Sequence, residues 1–424
     1  MIAIRPGHAA IQPKAIQVLP KGSVDFSTVR SHALMVGSTS FSLSKFRRGG
    51  SDIAISIGEL ELGKIGMNQS IALVYGGVDY VFSRKTCAEL DTVSVAALDL
   101  PSDIEPYYHS MNMALERMEA EGFEEDGPII KRPAITRQVQ VDSSDVKCMG
   151  DPGYLIEINP GVKTVFIGDL HANAKNLLSA VNAHEKELAE EKVVIVVMGD
   201  AIHPQTGNLE EMDSSIEMIR IICDLKAKYG DCFHYILGDH ETLEPGFMTK
   251  RNIDQPDLFV KAVVRKLGNA YVRKIDALWK GCPYAVLIPG IAFAAHNAVV
   301  ENLNGIDDII HAGLPGSERV ALTLLSFRPE AVDLKSGNTY PPQASERMKQ
   351  LLKVKNLISA HTSDPEGKSS IVTFGQMPGH YFLQGWGSPE FLPFQVMEVG
   401  EDGNLLPIFI SPDGEKSLGQ VRNI

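Results

Sequence analysis

No run of about 18 or more apolar residues occurs anywhere in the 424-residue chain, so no segment reads as a transmembrane helix. The stretch Met1 to Gly22 lacks the continuous apolar segment of a secretory leader. Positive charge is scarce. Forty Lys and Arg against 53 Asp and Glu leave a formal charge of −13, which argues against a nucleic-acid scaffold with its basic face. A local basic pocket for phosphate stays open. Paired cysteines are missing too. Cys87, Cys148, Cys223, Cys232 and Cys282 are odd in number, and no two have the spacing of a zinc knuckle or a CxxC redox pair. They read as buried free thiols in a reducing compartment. The expected location is cytoplasmic; export by a signal-independent route would leave no trace in the sequence. Tryptophan occurs twice, at Trp279 and Trp386, most simply as packing residues. No internal repeat or low-complexity tract stands out.

What is present suits a folded protein with a sizeable core: 44% hydrophobic residues and 22% charged ones. The expected division is an accessory β-rich region over residues 1–150 and a catalytic domain over 151–424. In the first, Ile53–Ile57, Ser70–Tyr75 and Val78–Phe82 are short β-branched or aromatic runs, and Gly76-Gly77 predicts a hairpin between the last two. Tyr107, Met111, Ala114 and Met118 recur at helical spacing. The acidic, Gly/Pro-bearing stretch Glu121 to Pro133 reads as a linker or exposed loop. No chemistry is legible in this region; a cap, a substrate-selecting module and a partner-binding surface are all open.

From about Gly153 apolar runs alternate with helical patterns. Strands are expected at Thr164–Ile167, Val193–Met198, His234–Leu237, Ile291–Ala295 and Asn356–Ala360. One helix carries Leu177, Leu178 and Val181; a second carries Ile216, Ile219, Ile222 and Cys223 on its apolar side. Near-continuous apolar strands joined by helices predict an α/β fold with covered sheet faces. Phe394–Val399 and Leu405–Ile410, flanking Glu401 to Asn404, predict a closing hairpin.

Each of the five strands runs into Asp or His. The first leads to Gly168-Asp169-Leu170-His171, the second to Gly199-Asp200, the third to Gly238-Asp239-His240-Glu241, the fourth to His296 and the fifth to His361. The carboxyl ends of strands in an α/β sheet form one rim, where ligands bind. Carboxylates and imidazoles crowded there are costly without cations. Divalent metals resolve the conflict, and imidazole with carboxylate suits Zn, Fe or Mn. Two metals about 3.5–4 Å apart would clamp a phosphoryl group and activate water. A single strand-end Asp is often only a helix cap; six such residues gathered as caps is improbable.

These ordered blocks resemble the calcineurin-like metallophosphoesterases, whose marks are GDxH, GD, GNH[DE] and two later histidines. The stretch Cys282-Pro283-Tyr284-Ala285 to His296 also resembles the phosphoprotein phosphatase branch. The likeness covers roughly Gly153 to Phe382. It implies two packed mixed sheets flanked by helices, with the extra β-rich N-terminal region outside it. It implies two divalent metals, Mn²⁺ first with Fe or Zn as alternatives. Asp169 and His171 would hold metal one, Asp200 would bridge, and Asp239, His296 and His361 would hold metal two. His240 would protonate the leaving oxygen, a contribution of about 10²–10⁴-fold, and a metal-activated water would attack without a covalent enzyme intermediate.

Three departures bear on this. Asp239 stands where the family has Asn. His203 and Pro204 stand where phosphoprotein phosphatases have an Asp-Arg pair, so the phosphate-gripping arginine is lost there and His203 is the remaining partner for the acid. Ala172 stands where GDxHG ends in glycine, a mild change unless the position needs positive φ. Lys250 and Arg251, then Arg319 and Arg328, are the candidates to bind phosphate; any one of them alone reads first as a solvated surface charge. His311, in His311-Ala312-Gly313-Leu314-Pro315, competes with His296, which the strand-end position favours. His184, His234 and His380 read as ordinary histidines, although the loop Thr362 to Pro389 follows the last ligand and Gly379-His380-Tyr381 is placed to approach substrate.

The expected function is a metal-dependent phosphomonoesterase, first of all a protein phosphatase acting on phospho-Ser/Thr or phospho-Tyr. A small-molecule or nucleotide phosphoesterase, such as a dinucleoside polyphosphate hydrolase, is the alternative. An inactive metal-binding interaction protein is the alternative of another class.

Overall fold

The computed structural model describes residues 104–121 and 154–424, apart from 247–248, 250–251, 313–315, 333–337 and 388–393; within 17–99 and at 130–131 it describes strand paths only. The chain divides into two units, Met1–Glu116 and Arg117–Ile424.

The first unit is antiparallel. Ser31–Val36, Thr39–Lys45, Ile53–Ile57 and Leu60–Ile65 pair in chain order. In a second sheet Ser70–Tyr75 pairs Val78–Cys87 with Tyr75 opposite Val78, the register expected of a hairpin at Gly76-Gly77. Leu90–Asp99 follows on. The helix Glu105–Glu121 buries Tyr108, Met111 and Ala114. The expected linker over 121–133 lies outside the described residues, except for the strand path at 130–131.

The second unit holds two mixed sheets. Its strands are β1 (Leu155–Ile158), β2 (Lys163–Ile167), β3 (Val193–Val197), β4 (Phe233–Tyr235), β5 (Ala285–Ile288), β6 (Ala292–Ala295), β7 (Asn356–Ser359), β8 (Ile371–Thr373), β9 (His380–Leu383), β10 (Gln395–Val399), β11 (Leu405–Ile410) and β12 (Lys416–Leu418). One sheet runs β4-β3-β2-β10-β11-β12, with β2, β3 and β4 parallel and β10 antiparallel to β2. In the other, β1, β5, β6, β7, β9 and β8 are consecutive, flanked by Ile130–Lys131 and Arg422–Asn423. There β7 is parallel to both β6 and β9. The closing hairpin of β10 and β11 forms as expected.

Alternation explains why these strands are apolar on both faces. Ile156, Ile158, Val286, Ile288, Ala292, Ala294 and Ile358 face Phe166, Val194, Val196 and Met397 of the other sheet in one buried cluster. Their neighbours in sequence, Leu155, Leu287, Phe293 and Leu357, point the opposite way. They pack under α5 (Glu318–Ser326) and α6 (Pro342–Leu352) through Leu324, Ala344 and Met348. With two faces to bury, the period-two pattern of a half-exposed strand disappears. Each fully buried Leu, Ile or Phe contributes roughly 1.5–3 kcal/mol.

The longer helices elsewhere in this unit are α1 (Ala174–Ala183), α2 (Asp213–Tyr229), α3 (Gln255–Leu267) and α4 (Asn269–Gly281). The N-cap of α1 is Asn173, whose side chain accepts from Asn176 N. Leu177 and Val181 are buried as expected, but Leu178 is 39% exposed, one position off the apolar face. Ile216, Ile219, Ile222 and Cys223 line the buried side of α2.

Candidate metal centre

The rim where the strands end gathers the expected residues. Asp169, Asp200 and Asp239 follow β2, β3 and β4 of one sheet; His296 and His361 follow β6 and β7 of the other. Ligand atoms of Asp200, Asp239, His296 and His361 lie within 4.8 Å of one another, and so do those of His171, Asp200 and His240. Asp200 belongs to both groups. His296 Nε2 is 3.5 Å from Asp200 Oδ2, 3.4 Å from Asp239 Oδ1 and 3.1 Å from His361 Nδ1. Asp169 stands beside the larger group: its Oδ1 accepts from the His361 backbone N–H at 3.0 Å and lies 3.7 Å from His296 Nδ1.

Two imidazoles are oriented by backbone carbonyls. The Nδ1 of His296 lies 2.8 Å from Met198 O, and that of His171 lies 3.1 Å from His203 O. Donating there puts the lone pair of each ring on Nε2, the atom that would ligate. The Nε2 of His361 accepts from Arg328 Nε at 2.9 Å, with Nδ1 3.3 Å from Asp239 Oδ1.

The donor set fits divalent metals. Asp239 Oδ1 is buried between His361 Nδ1 at 3.3 Å and His296 Nε2 at 3.4 Å, so a carboxylate and two imidazoles face one point, as a divalent cation requires. Burial pushes the Asp169 carboxyl up to about 7 even against the charge of His296, and Asp200 and Asp239 push the same way. Burial and Asp239 also push Asp200 up, but His296 and His240 outweigh them and hold it at about 2. Burial works against ionised Asp239, yet His361 and His296 hold it well below the usual carboxylate range. His296 is driven well above the ordinary imidazole value, against its burial, by Asp200, Asp239 and Asp169.

Close approach explains two of the glycines. Gly199 has φ +85°, and a Cβ on it would overlap the backbone of Gly238; a Cβ on Gly238 would overlap the Asp200 carboxylate. Non-glycine residues carry the same strain nearby: His171 (φ 43°), Ala172 (63°), Asp200 (47°), His203 (64°) and His361 (60°). Ala172 is thus no mild replacement for glycine, because its position is left-handed.

The remaining expectations separate. His203 is fully buried, its Nδ1 is 3.0 Å from His240 Nδ1, and its Nε2 has no hydrogen-bond partner. Burial, reinforced by the charge of His240, pulls its pKa well down. Arg328 reaches His361, whereas Arg319 is exposed on α5. Lys250 and Arg251 lie outside the described residues. His311 lies apart from both ligand groups and bonds Asp307 O through Nδ1. His380 is fully buried between Ser345 and Ser359 and stacked on Phe382, so it does not approach a substrate. His184 is held by Glu398 and Ala180 O, and His234 by Asp231 O. Cys223, Cys232 and Cys282 are buried free thiols.

Trp386, expected as a packing residue, lines a cavity of about 360 Å³ beside the centre with His171, Asn173, Gln205, Asn208 and Glu211. Asn173 and Asn176 hold that loop through the carbonyls of Gly385, Trp386 and Gly387.

Two mixed sheets with Asp and His converging on one rim define a metal-dependent hydrolase of phosphate esters. Residues 162–365 match the model of the calcineurin-like phosphoesterase family. No curated protein matches the sequence. Among solved structures, a protein serine/threonine phosphatase from Saccharomyces cerevisiae with similarity to human phosphatase PP5 is 15% identical. That likeness has a TM-score of 0.49 and covers 72% of this chain and 90% of that one. A cold-active protein tyrosine phosphatase is 13% identical with a TM-score of 0.41, covering 62% of this chain and 80% of that one. At TM-scores below 0.5 neither likeness bears on substrate. No helix among the described residues is long and apolar enough to cross a membrane.

Proposed function

We propose that the chain is a dinuclear-metal phosphomonoesterase acting on phosphorylated protein side chains. The observation that carries the metal reading is the group of two carboxylates and two imidazoles, Asp200, Asp239, His296 and His361, whose ligand atoms lie within 4.8 Å of one another. In this reading Asp169, His171 and Asp200 hold one metal, and Asp200, Asp239, His296 and His361 hold the other. Mn²⁺ is the first choice, with Fe or Zn as alternatives. Bound there, the metals supply Lewis acidity toward phosphoryl oxygens and lower the pKa of water toward neutrality.

The chain's own groups do the rest. His240 delivers a proton to the leaving oxygen, and His203, 3.0 Å away, orients it. Arg328 grips phosphate. When His361 Nδ1 serves as a ligand its proton must sit on Nε2, so the Arg328 Nε–H loses that acceptor and turns to the anion. Lys250 and Arg251 are further candidates. Support for a protein substrate is the resemblance of Cys282 to His296 to the phosphoprotein phosphatase branch. In the same reading residues 1–150 form an accessory region, and the protein works in the cytoplasm.

A nucleotide substrate is the second reading. It is favoured by the cavity beside His171, which has an indole and amides in its wall and no Lys or Arg among its described lining residues.

The test is phosphate release from para-nitrophenyl phosphate by metal-stripped protein with Mn²⁺ added back, beside Asp200→Asn. Metal-dependent turnover in the wild type, with loss of both activity and bound metal in the variant, is expected. Full activity in Asp200→Asn would sink the dinuclear centre. Phosphopeptides against nucleotides then separate the two substrates.

A further inference from the structure

The third block ends in Glu241, a residue the metal reading leaves without a task. Its carboxylate is spent on backbone. Oε2 accepts from Asp200 N and from Gly238 N, both at 2.8 Å, and Oε1 accepts from Ala201 N at 3.0 Å. One side chain thereby ties the loop after β3 to the loop after β4. Asp200 returns the tie, its Oδ1 accepting from His240 N at 2.9 Å. With the Asp200 backbone held by Glu241 and Oδ1 used on His240 N, Oδ2 is left toward the metal-binding groups. It lies 3.8 Å from His171 Nε2, 3.8 Å from His240 Nε2 and 3.5 Å from His296 Nε2.

The loop needs such a hold. Asp200 has φ 47°, a left-handed conformation that L-residues other than glycine adopt only under strain. Strained backbone of this kind persists only where its surroundings over-determine it.

We propose that Glu241 is a positioning residue: by anchoring the Asp200 and Ala201 amides it aims Asp200 Oδ2 at the place shared by the two ligand groups, and so sets metal affinity. This rests on the metal reading of the site. Charge-assisted bonds to three N–H groups are strong, and an amide in place of the carboxylate would turn an N–H₂ toward at least one N–H donor. Partners that orient metal ligands typically change affinity by about 10–100-fold when lost.

The experiment is calorimetric titration of metal-stripped full-length protein with Mn²⁺, run on wild type, Glu241→Gln, Glu241→Asp and Glu398→Gln. Glu398 lies in the β10 ion cluster with His184 and Lys163, so its variant reports loss of stability alone. At least about tenfold weaker Mn²⁺ binding in Glu241→Gln is expected, with Glu241→Asp between it and wild type and Glu398→Gln unchanged. Binding within about twofold of wild type in a folded Glu241→Gln would overturn the proposal, and so would equal weakening in Glu398→Gln. Should Glu241→Gln not fold, Glu241→Asp carries the same comparison with the charge kept. If the wild-type chain binds no Mn²⁺, the metal reading itself falls and takes this inference with it.

Discussion

Replacing Ala172 by glycine removes a methyl group, which in most places weakens a protein, yet here it should strengthen the fold. Ala172 has φ 63°, next to His171 in the same left-handed region. Holding an L-residue there costs about 1–2 kcal/mol. Glycine escapes that cost but adds about 0.4–1 kcal/mol of unfolded-chain freedom. The methyl is only half-buried, on the wall of the cavity beside the centre, so little apolar burial is lost. The backbone bond from Ala172 N to Ala201 O is available to either residue. The net expectation is a gain of about 1 kcal/mol, or about 2–4 °C in Tm for a domain of this size. Thermal and urea unfolding of metal-stripped protein measure it, because bound metal would add its own stabilisation. Ala227→Gly, inside α2, is the matched control and should lose about 1 kcal/mol. If both substitutions destabilise equally, the assignment of strain to residue 172 is wrong.

Two further predictions concern buried charges away from the centre. Burial, and to a smaller extent Lys349, pulls the His380 imidazole down from 6.5 to about 3. Between those values the unfolded chain carries one more proton than the folded one. Stability therefore falls as pH drops through that window, by up to about 1.4 kcal/mol per unit. Denaturation midpoints from pH 7 to 4 should fall more steeply in wild type than in His380→Phe, and parallel curves would refute the buried neutral imidazole. Glu398 behaves oppositely. Burial pushes its carboxyl up, but His184 and Lys163 outweigh that and hold it at about 2, from 4.5. Its contribution is complete above pH 4.5 and fades as pH falls toward 2. Glu398→Gln should cost about 1–3 kcal/mol at pH 7, with the gap to wild type narrowing in acid; a gap that widens in acid would contradict the assignment.

Much of the second unit was legible because its signals are local. Val193 to Met198 can hardly be anything but a strand buried on both faces, and the Asp and His residues that end such strands fall on one rim by the geometry of the sheet. His296 earned its preference over His311 in the same way, and the structure puts it among Asp200, Asp239 and His361. What stayed hidden depends on contacts distant in sequence. The left-handed backbone at Ala172 is imposed by the loop around Ala201, and nothing in an alanine announces it. His380 reads as an ordinary histidine in a stretch placed to approach substrate, and only its enclosure by Ser345 and Ser359, from elements 35 and 21 residues away, decides between the two. Glu241 was visible as part of a block, but its use as an acceptor for three backbone amides appears only when two loops meet.

The centre draws its donors from both layers: Asp169, His171, Asp200 and Asp239 from the strand ends of one sheet, His296 and His361 from those of the other. Their separation is therefore set by the dry interior of Phe166, Val196, Ile288 and Ile358 between the layers. An occupied centre is then a cross-link, closing the sandwich at its rim much as a rivet closes two plates. Its strength is adjustable, because a ligand at about 100 times its dissociation constant stabilises the state that binds it by about 2.7 kcal/mol. The folded population of this domain should thus follow the supply of metal as well as the sequence, and a cavity cut into the sandwich interior should register at the rim as weaker metal binding.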